Sequence, residues 1–246
     1  MFPQSADVVI VGGGIVGLSV AYHLGVRGIR ALVLEQGHLG EGSTARSSGG
    51  IRRLFATEPS VRLSVESVSF WEQFEALTGH PLDWRRVGYL LVARSSAKEH
   101  LLQQSFELAR RWNVPASLLS GEQVARLVPQ MQCDDVIVGL HCATDGYAGP
   151  HEALQGLRRG ALGLGAVLVE ECTVTGVSVR NDCVVGVDTT LGVIATRTVV
   201  NAAGAWASIV GRYVGLEIPV VPRRQHQWLI ESGHALFQLP CTLDLD

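Results

Sequence analysis

Residues 7–36, DVVIVGGGIVGLSVAYHLGVRGIRALVLEQ, decide the fold of this chain. The apolar, β-branched runs at 7–11 and 31–34 predict two strands, and residues 15–27 between them predict a helix. Residues 8–26 are apolar enough to resemble a membrane span, but the glycines clustered there favour a strand, a tight turn and a helix. The segment therefore predicts a strand–helix–strand unit of a parallel α/β layout, with no membrane span.

Gly12, Gly14 and Gly17 form a G-x-G-x-x-G pattern between the first strand and the helix. A dinucleotide pyrophosphate needs this pattern. The first glycine allows the tight turn, the second lets backbone approach phosphate, and the third lets helix and strand pack closely. The helix N-terminus then offers free N–H groups to phosphate oxygens. Glu35, after the second strand, can accept the adenosine ribose hydroxyls. The pattern predicts a dinucleotide site but serves NAD and FAD alike.

The loop at residues 42–50, GSTARSSGG, combines small and hydroxyl side chains with one arginine, and Ile51, Arg52 and Arg53 follow it. Small residues let a broad planar ring lie against the backbone, while hydroxyl and N–H groups suit a pyrophosphate and the polar edge of a flavin. A plain flexible loop has the same composition. Composition alone leaves both interpretations open.

The composition excludes several classes of protein. A chain of 246 residues that is 47% hydrophobic can bury a substantial core, and a net charge of -3 without long like-charge runs gives no reason to expect nucleic acid or an anionic membrane. The five widely spaced cysteines (133, 142, 172, 183 and 241) form no CxxC pair, which argues against a zinc site or disulfides. No charged segment precedes the first apolar run, so no signal peptide is expected. These features predict a cytoplasmic protein.

The rest of the chain predicts alternating helices and strands. Capping residues and apolar spacing predict helices at 57–79, from Ser96 to about 112, from Ser120 to Pro129, at about 151–164 and after Gly204. Strands are predicted at 87–92, 166–169, 174–179, 184–189, 193–195, 198–201 and 227–230, and extended segments are predicted from Val136 onward. Ser96 with Glu99 and Ser120 with Gln123 are candidate capping boxes. The strands at 174–195 predict a meander inserted in the parallel layout.

Three runs together carry a specific resemblance: VVIVGGGIVGLSVAYHL at 8–24, GSTARSSGGIR at 42–52 and VVNAAGAWA at 199–207. They resemble the D-amino-acid-oxidase-like FAD-dependent oxidoreductases, which include sarcosine oxidase, glycine oxidase and dimethylglycine dehydrogenase. The resemblance runs from about residue 7 to the end of the chain. It implies FAD as cofactor and oxidation of the carbon next to an amine, with a hydride equivalent passing to flavin N5 and an imine that water hydrolyses.

The resemblance also implies the fold. The expected class is α/β: a Rossmann-like FAD-binding domain with an inserted β-meander at residues 1–84 and 143–222, plus a partial α+β substrate domain at 85–142 and 223–246. Relatives in this family continue for well over a hundred further residues. The chain is therefore expected to be a fragment or one piece of a larger assembly, with a possible partner subunit.

Roles for individual residues follow from the same resemblance. The pyrophosphate would be held by Gly12, Gly14 and Gly17, and the ribose by Glu35. The phosphates and ribityl chain would be lined by Ser43 and Thr44, and the ring system by Arg46, Ser47, Ser48, Gly49 and Gly50. The backbone of Val174 would meet adenine, and the turn beside the flavin would be formed by Ala203 and Gly204. Ile15, Val16, Gln36, Gly42 and Trp206 complete the predicted cofactor-binding set.

Arg52 resembles a position that grips a substrate carboxylate in some relatives, and a guanidinium pairs bidentately with carboxylate. A surface or structural ion pair is the alternative role for an arginine beside Arg53. Tyr89 and Tyr147 are aromatic candidates for lining the site, with packing as the alternative. Some relatives attach flavin through a histidine after the second strand. No histidine lies between Glu41 and Gly79, which favours non-covalent FAD.

Three functions remain open at this point. The first is an FAD-dependent oxidase or dehydrogenase of a small amine or amino acid, with oxygen or an electron-transfer protein as acceptor. The second keeps FAD but oxidises a 2-hydroxy acid or a polyol phosphate, which this fold also hosts. The third is a non-catalytic flavin-binding assembly protein. Because the cofactor carries the chemistry, no metal and no protein nucleophile is expected.

Overall fold

The computed structural model describes residues 2–228, 230–231 and 239–246. Its strands are β1 (Val8–Val11), β2 (Ala31–Leu34), β3 (Gly50–Ile51), β4 (Trp84–Arg85), β5 (Tyr89–Ala93), β6 (Ala116–Ser120), β7 (Val138–Cys142), β8 (Gly146–Ala148), β9 (Val167–Val169), β10 (Val174–Arg180), β11 (Cys183–Thr189), β12 (Gly192–Ala195), β13 (Val199–Asn201) and β14 (Cys241–Asp244). Its helices are α1 (Ile15–Val26), α2 (Glu58–Glu72), α3 (Phe74–Thr78), α4 (Ser96–Arg111), α5 (Gly121–Leu127), α6 (Pro150–Gly163) and α7 (Ala207–Arg212). None of the helices within these residues has the length and apolar character needed to span a bilayer.

The chain divides into two compact units. The first comprises Met1–Ser47, Glu75–Leu82 and Pro150–Trp228, and the second comprises Ser48–Phe74, Asp83–Gly149 and Leu229–Asp246. The predicted domains differ from these units: residues 48–74, 83–84 and 143–149 are predicted in the FAD-binding domain but belong to the second unit, and residues 223–228 are predicted in the substrate domain but belong to the first. In the structure β3 pairs with β8, and this pairing belongs to the second unit.

A parallel sheet forms the centre of the first unit, in the order β13-β1-β2-β9. All residues of β1 and β2 are buried, which is why both strands are continuous apolar runs. Burial of each Val, Leu or Ile side chain in these strands stabilises the fold by roughly 1.5–3 kcal/mol. Helix α1 packs against α6 at Gly160, where a Cβ would lie 2.7 Å from the Tyr22 ring. The predicted strand–helix–strand unit is confirmed.

The meander of the first unit is the antiparallel sheet β10-β11-β12. Val187 and Ile194 face each other across β11 and β12, and both are fully buried. Asn181 and Asp182 make the first turn with positive φ of 49° and 57°, which Asn and Asp tolerate better than other side chains. The α/β class with an inserted meander is therefore confirmed.

The second unit contains two mixed or antiparallel sheets. One has the order β14-β5-β7-β6, with Leu91 opposite Leu140 at its centre, and β14 runs parallel to β5. The other is the short antiparallel sheet β3-β8-β4. The sequence missed β3, β4, β6 and β14, because two-residue strands and polar edge strands give almost no alternating pattern.

The predicted helix at 57–79 is wrong as one element, because it is split into α2 and α3. The N–H of Gln73 donates to the carbonyl oxygen of Phe70, three residues back, at 3.2 Å, and Gln73 leaves helical geometry at φ -106° and ψ 9°. A bond of this type tightens the last turn and ends the helix. Apolar spacing continues across the break, so the periodicity could not show it.

One of the two predicted capping boxes is wrong. The N-cap of α4 is Ser95, not Ser96, and its side chain caps no helix N–H; its hydroxyl donates to Asp246 instead. The other box is confirmed: Ser120 Oγ accepts from Gln123 N–H at 3.3 Å, and Gln123 Oε1 accepts from Ser120 N–H at 2.8 Å.

Of two predicted elements near the end of the chain, the helix after Gly204 is confirmed and the strand at 227–230 falls partly outside the described residues. The helix after Gly204 begins as a 3-10 turn, Gly204–Trp206, and becomes α-helical only in α7. The strand predicted at 227–230 includes Leu229, which lies outside the described residues, and the described neighbours Gln227, Trp228 and Ile230 belong to no strand.

The free energy of unfolding can test the finding that Ser120 caps a helix and Ser96 does not. We expect Ser120→Ala to lower the free energy of unfolding by about 1 kcal/mol, because it removes the acceptor for an otherwise orphaned helix N–H. Ser96→Ala, at an exposed serine that caps nothing, should leave the unfolding free energy unchanged. Urea unfolding followed by circular dichroism measures both, and equal losses in the two variants would contradict the assignment of the caps.

Candidate functional site

The turn at Gly12, Gly13 and Gly14, between β1 and α1, is called the glycine turn here, and it brings two stretches of backbone unusually close. Gly12 has a φ of +111°, and a Cβ there would lie 2.4 Å from the carbonyl oxygen of Ala202. A Cβ on Gly17 would lie 1.9 Å from the carbonyl oxygen of Gly12. Real side chains do not fit at such distances, so both positions require glycine. The turn therefore places the start of α1 directly against the carboxyl end of β1.

Of the N–H groups at the start of α1, one is bonded to a side chain and two have no acceptor among the described residues. Ile15 N–H donates to Thr44 Oγ1 at 3.0 Å, so a hydroxyl 29 residues away caps the helix in place of Gly14, which has no side chain. The N–H groups of Gly14 and Val16 find no acceptor in the described part of the chain. Two free N–H donors at the positive end of a 12-residue helix have the chemistry to accept an anion such as a pyrophosphate.

Glu35 lies beside this turn, and its carboxylate is fixed by backbone. One oxygen, Oε2, accepts from Gly13 N–H at 2.8 Å, and the other, Oε1, accepts from Gly37 N–H at 3.1 Å. A carboxylate oxygen has two lone pairs, so each keeps capacity for a further donor. The half-buried Glu35 can therefore accept sugar hydroxyls without losing its place.

The loop after β2 folds back on the glycine turn. Gly40 N–H donates to Gly13 O at 3.1 Å. Arg46 Nη1 donates to the carbonyl oxygens of Glu41 at 2.6 Å and Gly42 at 3.1 Å. The exposed Arg46 side chain therefore supports its own loop, a role that the sequence did not indicate.

Two residues that the sequence analysis did not single out shape the opposite wall. Tyr213 donates its hydroxyl to Val174 O at 3.3 Å. Asn201 ties down the turn after β13, because its Nδ2 donates to Ala207 O at 2.8 Å and its Oδ1 accepts from Ala203 N–H at 3.2 Å. The only signal for Asn201 was its place in the run at 199–207, since an asparagine at a strand end commonly holds a turn.

These walls line a cleft, an open cavity of about 850 Å³ within the first unit. Of the residues assigned to the cofactor from sequence, the following line it: Gly12, Gly14, Ile15, Val16, Glu35, Gln36, Gly42, Ser43, Thr44, Arg46, Ser47, Val174, Ala203, Gly204 and Trp206. Gly17 does not line the cavity, because it packs against Gly12. Ser48, Gly49, Gly50 and Arg52 belong to the second unit. The functional roles of all these residues stay predictions.

Arg52 and Arg53 are neighbours with different environments. The Arg52 guanidinium lies 4.9 Å from the ring centre of Phe55 and 5.4 Å from that of Tyr89, and it forms no ion pair within the described residues. Arg53 pairs with the fully buried carboxylate of Asp145 at 2.8 Å. Of the two arginines, Arg52 is thus the one whose charge is available to a ligand.

Three further residues of the second unit carry titratable side chains near these segments: Tyr147, Cys142 and His141. Tyr147 lies in β8, where it pairs with Gly50 of β3 and Arg85 of β4. Burial raises the pKa of the Cys142 thiol and lowers the pKa of the His141 imidazole. Both groups are therefore neutral near pH 7. A neutral buried thiol is a poor nucleophile.

Comparison with known proteins agrees with this geometry. The family model described as "DAO: FAD dependent oxidoreductase" matches residues 7–245. The chain is 31% identical to the mitochondrial sarcosine dehydrogenase of Mus musculus over 251 residues, covering 99% of this chain and 27% of that protein. It is 31% identical to the mitochondrial dimethylglycine dehydrogenase of Rattus norvegicus, covering 92% of this chain and 26% of that protein.

One further curated relative is not named as an oxidoreductase, whereas two similar solved structures are. The mitochondrial pyruvate dehydrogenase phosphatase regulatory subunit of Mus musculus is 30% identical, covering 85% of this chain and 24% of that protein. Among solved structures, L-proline dehydrogenase from P. horikoshii is 33% identical with a TM-score of 0.80, covering 87% of this chain and 57% of that one. Glycine oxidase from Geobacillus kaustophilus is 25% identical with a TM-score of 0.74, covering 87% and 59%.

The chain spans about a quarter of the length of these curated relatives and somewhat over half of the solved structures. The match to the family model nevertheless extends over almost the whole chain. The glycine turn, the free helix N–H groups and the carboxylate at Glu35 fit the FAD that the family model names. The chain belongs to the DAO family of FAD-dependent oxidoreductases.

Proposed function

We propose that the cavity of the first unit holds FAD non-covalently, with the pyrophosphate at the start of α1 and the adenosine ribose at Glu35. The observation that carries this proposal is the pair of free N–H groups of Gly14 and Val16 next to a carboxylate already held by backbone. Donors for a diphosphate and an acceptor for sugar hydroxyls stand side by side, as a dinucleotide requires. A Cβ on Gly12 or Gly17 would destroy this geometry.

The adenine end of the ligand fits the wall formed by Val174 and Tyr213. Val174 lies at the start of β10 and lines the cavity, so its backbone can meet the edge of a base. Because Tyr213 already donates to Val174 O, that carbonyl is held in one orientation. The turn at Ala203 and Gly204, fixed by Asn201, would lie beside the isoalloxazine end.

The reaction that we propose is oxidation of the C–N bond of a small amine or amino acid. FAD, when bound, accepts the hydride equivalent from the carbon next to nitrogen. This chain contributes Arg52, whose guanidinium lies over two aromatic rings, forms no ion pair within the described residues and can bind the carboxylate of an amino-acid substrate. The names of the relatives, sarcosine and dimethylglycine dehydrogenase, support a substrate with both an amine and a carboxylate. The acceptor of the electrons would be oxygen or an electron-transfer protein.

A second candidate function has one specific observation in its favour. One relative is named as a regulatory subunit of a phosphatase, not as an oxidoreductase. A flavin-binding chain that assembles with a partner and does not turn over substrate would share the same cofactor cavity. The two candidates therefore differ in whether substrate reduces the bound flavin.

Flavin reduction under anaerobic conditions tests the reaction. We expect the FAD-loaded chain to bleach with N-methylglycine, N,N-dimethylglycine, glycine or L-proline, because these carry the C–N bond and the carboxylate. Lactate and glycerol 3-phosphate represent the alternative substrates, and dithionite confirms that the flavin can be reduced. Bleaching by dithionite alone would favour the non-catalytic candidate.

The ribose contact is tested with Glu35→Gln. The wild-type chain should bind FAD, and the variant should bind it about tenfold or more weakly, because an amide cannot accept from both backbone N–H groups and from the ribose. Affinity for FMN, which lacks the adenosine, should be unchanged. Titration of apoprotein by flavin fluorescence measures both ligands. An equal loss for FAD and FMN would contradict the placement of the ribose at Glu35.

The carboxylate contact is tested with Arg52→Ala. We expect the substrate concentration for half-maximal bleaching to rise about 10- to 100-fold, since one charge-assisted hydrogen bond contributes about 1.5–3 kcal/mol. Arg62→Ala is the matched control, because Arg62 also lies over an aromatic ring, that of Trp112 at 5.2 Å. A similar rise in both variants, or none in Arg52→Ala, would contradict the role of Arg52.

A further inference from the structure

Asp145 is a fully buried carboxylate between β7 and β8. Its two oxygens accept from the same residue: Oδ2 accepts from Arg53 N–H at 2.8 Å, and Oδ1 accepts from Arg53 Nε at 2.8 Å. Backbone and side chain of Arg53 are thus fixed together by one acid. A buried charge requires such complete pairing, and here the pairing also fixes where the chain runs at residue 53.

The backbone of Asp145 holds a second segment. Its carbonyl oxygen accepts from Gly88 N–H at 2.8 Å, immediately before Tyr89. Gly88 has a φ of +90°, and a Cβ there would lie 2.7 Å from His141 Nε2, so this turn tolerates little change. One residue therefore joins the segment that ends in Arg52 and Arg53 to the segment that begins β5.

The residues next to these two attachment points form the candidate carboxylate-binding group. Arg52 directly precedes Arg53, and Tyr89 directly follows Gly88. The Arg52 guanidinium lies over the rings of Tyr89 and Phe55. Aromatic rings orient a cation through their quadrupole without neutralising it, so the orientation depends on the relative positions of the backbones that carry them.

We infer that Asp145 is a positioning residue for Arg52: by binding Arg53 and Gly88 together, it sets the Arg52 guanidinium over Tyr89 and keeps its charge free for a substrate carboxylate. The inference rests on the proposed role of Arg52 in substrate binding. It assigns to the buried pair a function beyond stability, since a hydrophobic pair of similar size would fill the same space.

The neighbouring contacts of Arg53 provide a matched control. Arg53 also donates to Thr144 Oγ1 and, at 3.6 Å, to Cys142 Sγ. Removing the Thr144 hydroxyl disturbs the same guanidinium but leaves both bonds to Asp145 and the bond from Gly88 in place. Thr144→Val should therefore leave Arg52 where it is, whereas Asp145→Asn should not, because an amide cannot accept through both terminal atoms.

The experiment is an NMR measurement on the full chain, which is labelled with ¹⁵N-arginine and mixed with unlabelled FAD. The Nε–H signal of Arg52 is assigned by its loss in Arg52→Lys, and it should be displaced by the ring currents of Tyr89 and Phe55. We expect Asp145→Asn to remove most of this displacement and to weaken acetate binding at the Arg52 signal by about tenfold or more. Thr144→Val should retain both properties.

Two readouts separate the inference from the proposed function. If the Arg52 signal of folded Asp145→Asn keeps its displacement, the inference is overturned, whatever the affinity for acetate. If wild type and Asp145→Asn differ in the signal but acetate never perturbs Arg52, Asp145 positions Arg52 while the proposed carboxylate role fails.

A second variant covers the case in which Asp145→Asn does not fold. Arg53→Lys keeps the charge and the backbone N–H bond to Asp145 but loses the Nε bond. A partial loss of the Arg52 displacement supports the inference, and a signal identical to that of wild type overturns it.

Discussion

Contact between backbones at the glycine turn is the constraint on which the rest of the first unit depends. Gly12 approaches the carbonyl of Ala202, and Gly17 approaches the carbonyl of Gly12, at distances that exclude any side chain. These contacts join β1, α1 and the segment after β13, although almost two hundred residues of chain separate the last from the first two. The N–H groups of Gly14 and Val16, at the start of α1, have no acceptor among the described residues, and an anion can take that place.

In the second unit, burial decides which of the two neighbouring arginines, Arg52 or Arg53, needs an acidic partner. Arg53 is largely buried, so it requires a partner, and Asp145 supplies one with no exposed surface of its own. Arg52 is only half buried and lies against aromatic rings, so it can keep its charge unpaired. An arginine doublet thus divides into one residue that fixes the backbone and one that is free to bind, which matches the division between support and recognition in binding sites.

Agreement between sequence and structure is best where local chemistry decides the conformation. The positions of Gly12 and Glu35 predicted the turn and the carboxylate beside it, and the box of Ser120 and Gln123 formed as expected. The prediction failed at Ser96, since a hydroxyl one residue earlier is held by an acid 151 residues away. It also failed at Gln73, where the periodicity is unbroken but the helix ends.

The sequence by itself determined the family and the α/β class and predicted most of the residues that line the cavity of the first unit, because those features depend on steric demands within short segments. Only the tertiary structure decided that Thr44 caps α1, that Tyr213 holds Val174 and that Asp145 pairs with Arg53 rather than Arg52. The physical reason is that these bonds join segments distant in sequence. Which donor meets which acceptor then depends on the packing of the whole unit, and no local pattern records it.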